Sequence, residues 1–283
     1  MPLATQTSSG GTATDPIRVM VVDDAVVVRG LVSRWLGEDP DIDVVARHRN
    51  GRLAVDDMLR ADPDVVILDI DMPEMDGMAA LPEILAKKPG VQVLMASTLT
   101  MRNAEISLKA LKLGAADYVP KPESNSGVST SVEFRRDLVE KVRALGARAR
   151  RQSGRDPAPS SVAERIAARV AARQGELPRP VQPDKPIVLR PFASVKPRIL
   201  AIGSSTGGPQ ALSRLLGLIG PQASGIPIVI TQHMPPNFTT ILAEHLRRDA
   251  GRPAAEGRDG EPLMPGRIYV APGGQHMLLE KTA

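Results

Sequence analysis

The chain has no cysteine in its 283 residues. This excludes disulfides, thiolate catalysis and Cys-type zinc sites, and it fits a cytoplasmic protein. Aromatic residues make up only 2% of the chain. A nucleic-acid reader needs a basic face interleaved with stacking rings, so no nucleic-acid partner is expected. No run approaches the roughly 18 uncharged apolar residues of a membrane span, so no membrane insertion is expected. Residues 1–16 are small and polar, with neither a basic n-region nor an apolar h-region. They read as a disordered tail rather than a signal peptide.

The net charge of +4 hides a segregation. Residues 17–134 carry 13 Lys/Arg against 19 Asp/Glu, and residues 135–198 carry 16 against 6. The basic excess therefore belongs to a stretch rich in Arg, Ala, Pro and Ser, the composition of a solvated tether.

The first part alternates strand and helix patterns, which predicts a doubly wound parallel sheet. Ile17–Val22 is a continuous β-rich run ending in Asp23-Asp24, and Val28–Leu36 follows at helical spacing. Further strands are read at 42–46, 64–68, 91–96 and 117–119, with helices at 53–59 and 104–113. The third strand ends in Asp69, the fourth in Ser97-Thr98 and the fifth leads to Lys121. A single Asp after a strand is commonly a turn or cap residue. Here one sheet edge collects an acid pair, an acid, a hydroxyl and a lysine. Three crowded carboxylates repel unless a cation neutralises them, and hard oxygen donors suit Mg²⁺.

On these residues, 17–123 resembles a response-regulator receiver domain. The resemblance implies Asp69 as phospho-acceptor and Asp23, Asp24 and Asp69 as the Mg²⁺ site, with the backbone of Asp71 nearby. It also implies that Ser97 and Lys121 sense the phosphoryl group and that Tyr118 is the aromatic switch. A last helix over 124–146 completes a receiver of residues 17–146. Residues 147–196 form the linker, with a short helix at 161–174, and 197–283 form the second domain.

That domain opens on Ile199–Gln210, where four apolar residues run into Gly203-Ser204-Ser205-Thr206-Gly207 and then a helical pattern. Strand, tight turn and helix with a serine at the apex expose a nucleophile, and the helix N-terminus favours a developing oxyanion. The same loop also suits a phosphate, which leaves a nucleotide-binding or non-catalytic module open. The next strand, Ile226–Thr231, ends in Gln232-His233-Met234-Pro235 and would deliver His233 to the same edge. A helix at 237–248 follows. Two β-rich runs around Pro272-Gly273-Gly274, within 263–280, predict a hairpin. His48 reads as a surface residue and His245 as part of a solvated helix face.

The Gly203–Gly208 loop, Gln232–Pro235 and Ala271-Pro272-Gly273 with His276 together resemble the catalytic domain of chemotaxis protein-glutamate methylesterases, the CheB family. The resemblance implies a cytoplasmic, phosphorylation-controlled hydrolase of glutamate methyl esters that also deamidates glutamine. Its implied partners are methylated chemoreceptors and a chemotaxis histidine kinase. Ser205 is the implied nucleophile and His233 the base, with Thr206 near the oxyanion and His276 lining the substrate site; the esterase step uses no cofactor. The family's orienting acid lies in a segment with no counterpart here, so the chain reads as truncated and its own activity as low. Loss of that acid costs about 10⁴ in turnover. A receiver acting only as a phosphate sink is the alternative.

Overall fold

The computed structural model describes residues 15–98, 100–121, 128–155, 195–219 and 223–281. The expected linker helix at 161–174 and most of the N-terminal tail lie outside them.

The first five strands are β1 (Ile17–Val22), β2 (Ile42–His48), β3 (Val65–Asp69), β4 (Gln92–Thr98) and β5 (Asp117–Lys121). They form one parallel sheet in the order β2-β1-β3-β4-β5. β3 is buried throughout, as a central strand covered on both faces must be. Four helices connect the strands: α1 (Val26–Gly37), α2 (Gly51–Ala61), α3 (Gly77–Lys87) and α4 (Met101–Lys112). Side-chain caps start three of them, with Asn50, Asp76 and Thr100 each accepting a backbone N–H at the helix start.

The α3 helix had no counterpart in the sequence reading. It contains Pro82, which interrupts the pattern of a helix interior. Topology requires it nonetheless, because parallel β3 and β4 need a crossover between them.

The α5 helix (Val128–Gln152) runs six residues beyond the expected end at 146. Its extension packs on the receiver: Ala149 and Arg150 are buried, and Arg155 just beyond pairs with Asp62 and Asp64 at 2.9 and 3.2 Å. Gly146 is needed for that approach, since a methyl there would fall 2.3 Å from Ile17 Cγ2.

The second sheet is also parallel, in the order β6-β7-β9-β8. Its strands are β6 (Leu200–Ser204), β7 (Ile228–Gln232), β8 (Ala254–Glu256) and β9 (Ile268–Val270), with helices α6 (Gly208–Ile219) and α7 (Phe238–Ala250) between them. The expected hairpin is absent: β9 pairs in parallel with both β7 and β8. Its two hydrogen-bonding edges are already occupied, and Pro272 stops it. The glycine run instead makes a turn, with Gln275 N donating to the Pro272 carbonyl at 3.2 Å.

The two domains touch. The core around β3 and β4 continues through Leu108, Leu111 and Tyr118 into Leu212, Leu216, Phe238 and Leu242. This is the reason His245 is buried rather than solvated. Its helix lies on α4, where Lys112 pairs with Asp249 at 3.1 Å. His48 is likewise half-buried, and its Nε2 lies 2.9 Å from Asp57 Oδ2.

Candidate active site and phosphorylation site

Parallel topology brings the ends of β1, β3 and β5 together. Asp23 and Asp69 are buried and Asp24 is exposed, and the three offer carboxylate oxygens within 4.8 Å of one another. Lys121 Nζ bridges the two buried acids, 2.6 Å from Asp23 Oδ2 and 2.7 Å from Asp69 Oδ1. Burial pushes the Asp69 carboxyl up to about 6 against the pull of Lys121, and the nearby Asp23 adds to the rise. A buried carboxylate held by one lysine amid two further acids has capacity for more positive charge. The all-oxygen donor set fits Mg²⁺. Gly77 closes the site from behind, where a methyl would fall 2.0 Å from the Asp69 carbonyl oxygen. Asp71 is exposed on the loop that follows.

Ser97, near the end of β4, is buried. Its Oγ lies 3.0 Å from Ser107 Oγ of α4, a hydroxyl pair with no signature in the local sequence. Tyr118 is buried between domains. Its ring stacks on Phe238 with centroids 4.6 Å apart and planes 7° apart, and Lys141 Nζ stands 5.7 Å from its centroid. Burial, with help from Asp117 and Asp137, raises its phenol well above the ordinary value. Lys141 itself pairs with buried Asp117 at 2.8 Å.

In the second domain, β6 and β7 pair in the register Ser204↔Gln232. Ser205 and His233 each follow the last paired residue, on adjacent strands at one edge, and both are exposed. The backbone ties them, since His233 N donates to the Ser204 carbonyl at 3.2 Å. Thr206 lies in the turn and Gly207 has φ +74°, which opens the sharp bend into α6. His276 is exposed beyond the Pro272–Gln275 turn. That turn packs beside the His233 loop: a methyl on Gly273 would fall 2.4 Å from Pro236 N, and Gly273 N donates to Thr239 Oγ1 at 2.9 Å. Among the described residues, three of the acids after His233 have other partners. Glu256 accepts from Thr239 at 2.5 Å, Asp249 pairs with Lys112, and Glu261 with Arg267 at 3.1 Å.

The receiver borders this edge. Asp137 of α5 is raised by burial, and Lys141 and then His233 pull it back, so its carboxyl stands within electrostatic reach of the histidine. Gln210 of α6 donates to the carbonyls of Leu111, at 2.9 Å, and Ala115.

Comparison with known proteins agrees with both halves. Residues 19–133 match the family model of the response regulator receiver domain, and residues 200–283 that of CheB methylesterase. A protein-glutamate methylesterase/protein-glutamine glutaminase of Bradyrhizobium diazoefficiens is 53% identical over 98% of this chain and 71% of its own length. One from Nitrobacter hamburgensis is 55% identical over 94% of this chain and 68% of its own. The chain belongs to the CheB methylesterase family. The CheB response regulator domain of Thermotoga maritima is 36% identical, covering 47% of this chain and 97% of its own, with a TM-score of 0.43. In this CheB-family chain the methylesterase match spans the Gly203–Gly208 loop. Among the described residues no helix is long and apolar enough to cross a membrane.

Proposed function

We propose that Ser205 and His233 are the nucleophile and base of a protein-glutamate methylesterase governed by phosphorylation of Asp69. The carrying observation is the β6–β7 register, which leaves the serine and the histidine side by side at adjacent strand ends. A serine hydroxyl is a poor nucleophile until an imidazole takes its proton. His233 accepts that proton as Ser205 Oγ attacks the γ-carbonyl of a methylated glutamate. The oxyanion meets the N-terminus of α6 and Thr206. His233 then gives its proton to the methoxide oxygen as the C–O bond breaks and methanol leaves, and water, deprotonated by the same ring, frees Ser205 from the acyl-enzyme. Glutamine follows the same course with ammonia leaving. His276 lines the substrate side. The substrates are methylated chemoreceptors, as the relatives' activity suggests.

Asp69 would take its phosphoryl group from a histidine kinase: a carboxylate oxygen forms the bond to phosphorus as the bond to the kinase imidazole breaks. Asp23, Asp24 and Asp69 would hold Mg²⁺, which when bound offsets the negative charge of the transferring oxygens. Lys121 is placed to exchange an Asp69 oxygen for a phosphoryl oxygen. Ser97 must leave Ser107 to reach the same group, which disturbs α4, and α4 rests on α6 and α7. Tyr118 transmits the change to Phe238, five residues beyond His233. The docked state is therefore the restrained one, a two-state element biased by local charge.

Methanol release from methylated receptor, with and without acetyl phosphate and Mg²⁺, tests this reading. Release that is slow, rises on phosphorylation, is lost in Ser205→Ala and loses its phosphate dependence in Asp69→Asn is the expected result. Release that survives Ser205→Ala overturns it.

A further inference from the structure

Between the two proposed catalytic residues lies a side chain that neither the motif nor the family match assigns a task. Gln232 ends β7 and is buried, although glutamine is mostly a surface residue. All of its polar capacity is directed at the catalytic loops. Its Oε1 accepts from Ser204 Oγ at 2.6 Å. Its Nε2 donates to the Ser205 carbonyl at 3.0 Å and to the His233 carbonyl at 3.3 Å. The orientation of the amide is determined by this set: turned over, its oxygen would face two carbonyl oxygens. Space is reserved for it as well. A methyl on Gly208 would fall 2.0 Å from Gln232 Oε1 and 2.9 Å from Ser204 Cβ, so glycine at the start of α6 is what admits the carboxamide.

We propose that Gln232 is a positioning residue for ester hydrolysis, a planar clamp that sets the peptide of the nucleophile and the peptide of the base in one frame. The inference rests on the reading of Ser205 and His233 as the catalytic pair. Each of these residues has an exposed side chain on a turn, and strand pairing stops one residue short of both. Without the clamp the two loops keep the His233 N–Ser204 carbonyl bond but lose the side-chain link between the peptides of nucleophile and base, and misplacing reacting groups by an ångström costs about a hundredfold in rate. Ser204 has a part in this arrangement: it anchors the acceptor end of the amide, so the two consecutive serines divide into support and nucleophile.

The test uses the full chain and a fluorophosphonate probe, with modification located by mass spectrometry. In the labelling step Ser205 Oγ bonds to phosphorus, the P–F bond breaks with loss of fluoride, and the serine proton passes to His233. The variants are Gln232→Leu, which keeps volume and loses all three hydrogen bonds, and Gln232→Glu, which keeps the acceptor and loses both donors. Gly208→Ala displaces an unchanged carboxamide. The expected result is a maximal labelling rate at least about tenfold lower in all three, with the probe's half-saturating concentration within about twofold. Ser204→Ala loses less than Gln232→Leu. Melting followed by circular dichroism identifies variants that have simply unfolded, and Gln232→Glu carries the test if Gln232→Leu does so. Wild-type chain labelled on Ser205 alongside a folded Gln232→Glu labelled at the same maximal rate overturns the clamp alone. A half-saturating concentration that rises in step with the lost rate also overturns it, since that is general loosening. Wild-type chain unlabelled at Ser205 overturns the catalytic pair, and the clamp with it.

Discussion

Replacing Asp69 by Asn should stabilise the metal-free receiver. Burial raises this carboxyl from its ordinary value of 3.8 to about 6, even with Lys121 beside it. The folded state therefore binds more protons than the unfolded one between those values, and wild-type stability falls as pH rises through that window. At pH 7.5 the ionised side chain costs about 3 kcal/mol relative to a neutral one of the same shape, at 1.36 kcal/mol per unit. At pH 4.5, where the folded chain is already protonated, about 1 kcal/mol remains, and well below 3.8 the cost vanishes. Lys121 keeps Asp23 as a partner in the variant, so no buried cation is orphaned. The assay follows from the composition. Trp35 is the only tryptophan and lies in the receiver, packed edge-on against Phe134 at 5.8 Å, so its fluorescence reports that domain's urea unfolding. Asp69→Asn and wild type are compared in EDTA at pH 7.5 and 4.5, and again with Mg²⁺, which should narrow the gap at pH 7.5 by stabilising only the wild type. A gap below about 0.5 kcal/mol at pH 7.5, or one of equal size at both pH values, refutes the reasoning.

Further outcomes are expected from other contacts. Gly77→Ala drives a methyl to 2.0 Å from the rigid Asp69 carbonyl oxygen. It should cost about 3 kcal/mol or more in the Trp35 urea curve, and a cost under about 1 kcal/mol would contradict that geometry. Lys141→Met leaves Asp117, 1% exposed, charged with no cation beside it and only the Tyr118 N–H, at 2.8 Å from its Oδ1, as a partner. Its loss should be about 3–5 kcal/mol, with Asp117→Asn in the same chain recovering most of it; no recovery would show that packing, not charge, was lost. Ser107→Ala releases Ser97 from its hydroxyl partner. Affinity for beryllofluoride with Mg²⁺, read by Trp35 fluorescence, should rise about fivefold, the worth of about 1 kcal/mol, and an unchanged affinity would show that the pair does not restrain Ser97.

The sequence was most legible where chain topology and chemistry coincide. Buried parallel strands read as continuous apolar runs, and whatever residue ends such a strand must lie at the carboxyl edge. Asp23, Asp69, Ser97, Lys121 and His233 could thus be gathered from position alone. The Gly203–Gly208 loop was legible for a similar reason, because a sharp strand-to-helix turn demands its glycines locally. Short three-residue strands carry too little pattern to show direction, which is why the sequence around Ile268–Val270 suggests a hairpin although two parallel neighbours claim its edges. The α3 helix was hidden by Pro82, although its crossover was topologically required.

Other features were decided only by packing. No periodicity distinguishes a helix face that meets water from one that meets a second domain, so His245 looked solvated until α4 was found against it. The Tyr118–Phe238 stack joins rings 120 positions apart, and the Ser97–Ser107 pair joins two hydroxyls across a strand and a helix. Gln232 shows the division most clearly. As a letter beside His233 it is one polar residue at a strand end. Its role depends on the carbonyls that the fold brings within 3.3 Å and on the Cβ that Gly208 lacks. The sequence by itself determined which chemical groups the chain can present and at which edge of each sheet. Which of them face one another was settled by tertiary structure, because hydrogen bonding and close packing act over a few ångströms of space, whatever the separation along the chain.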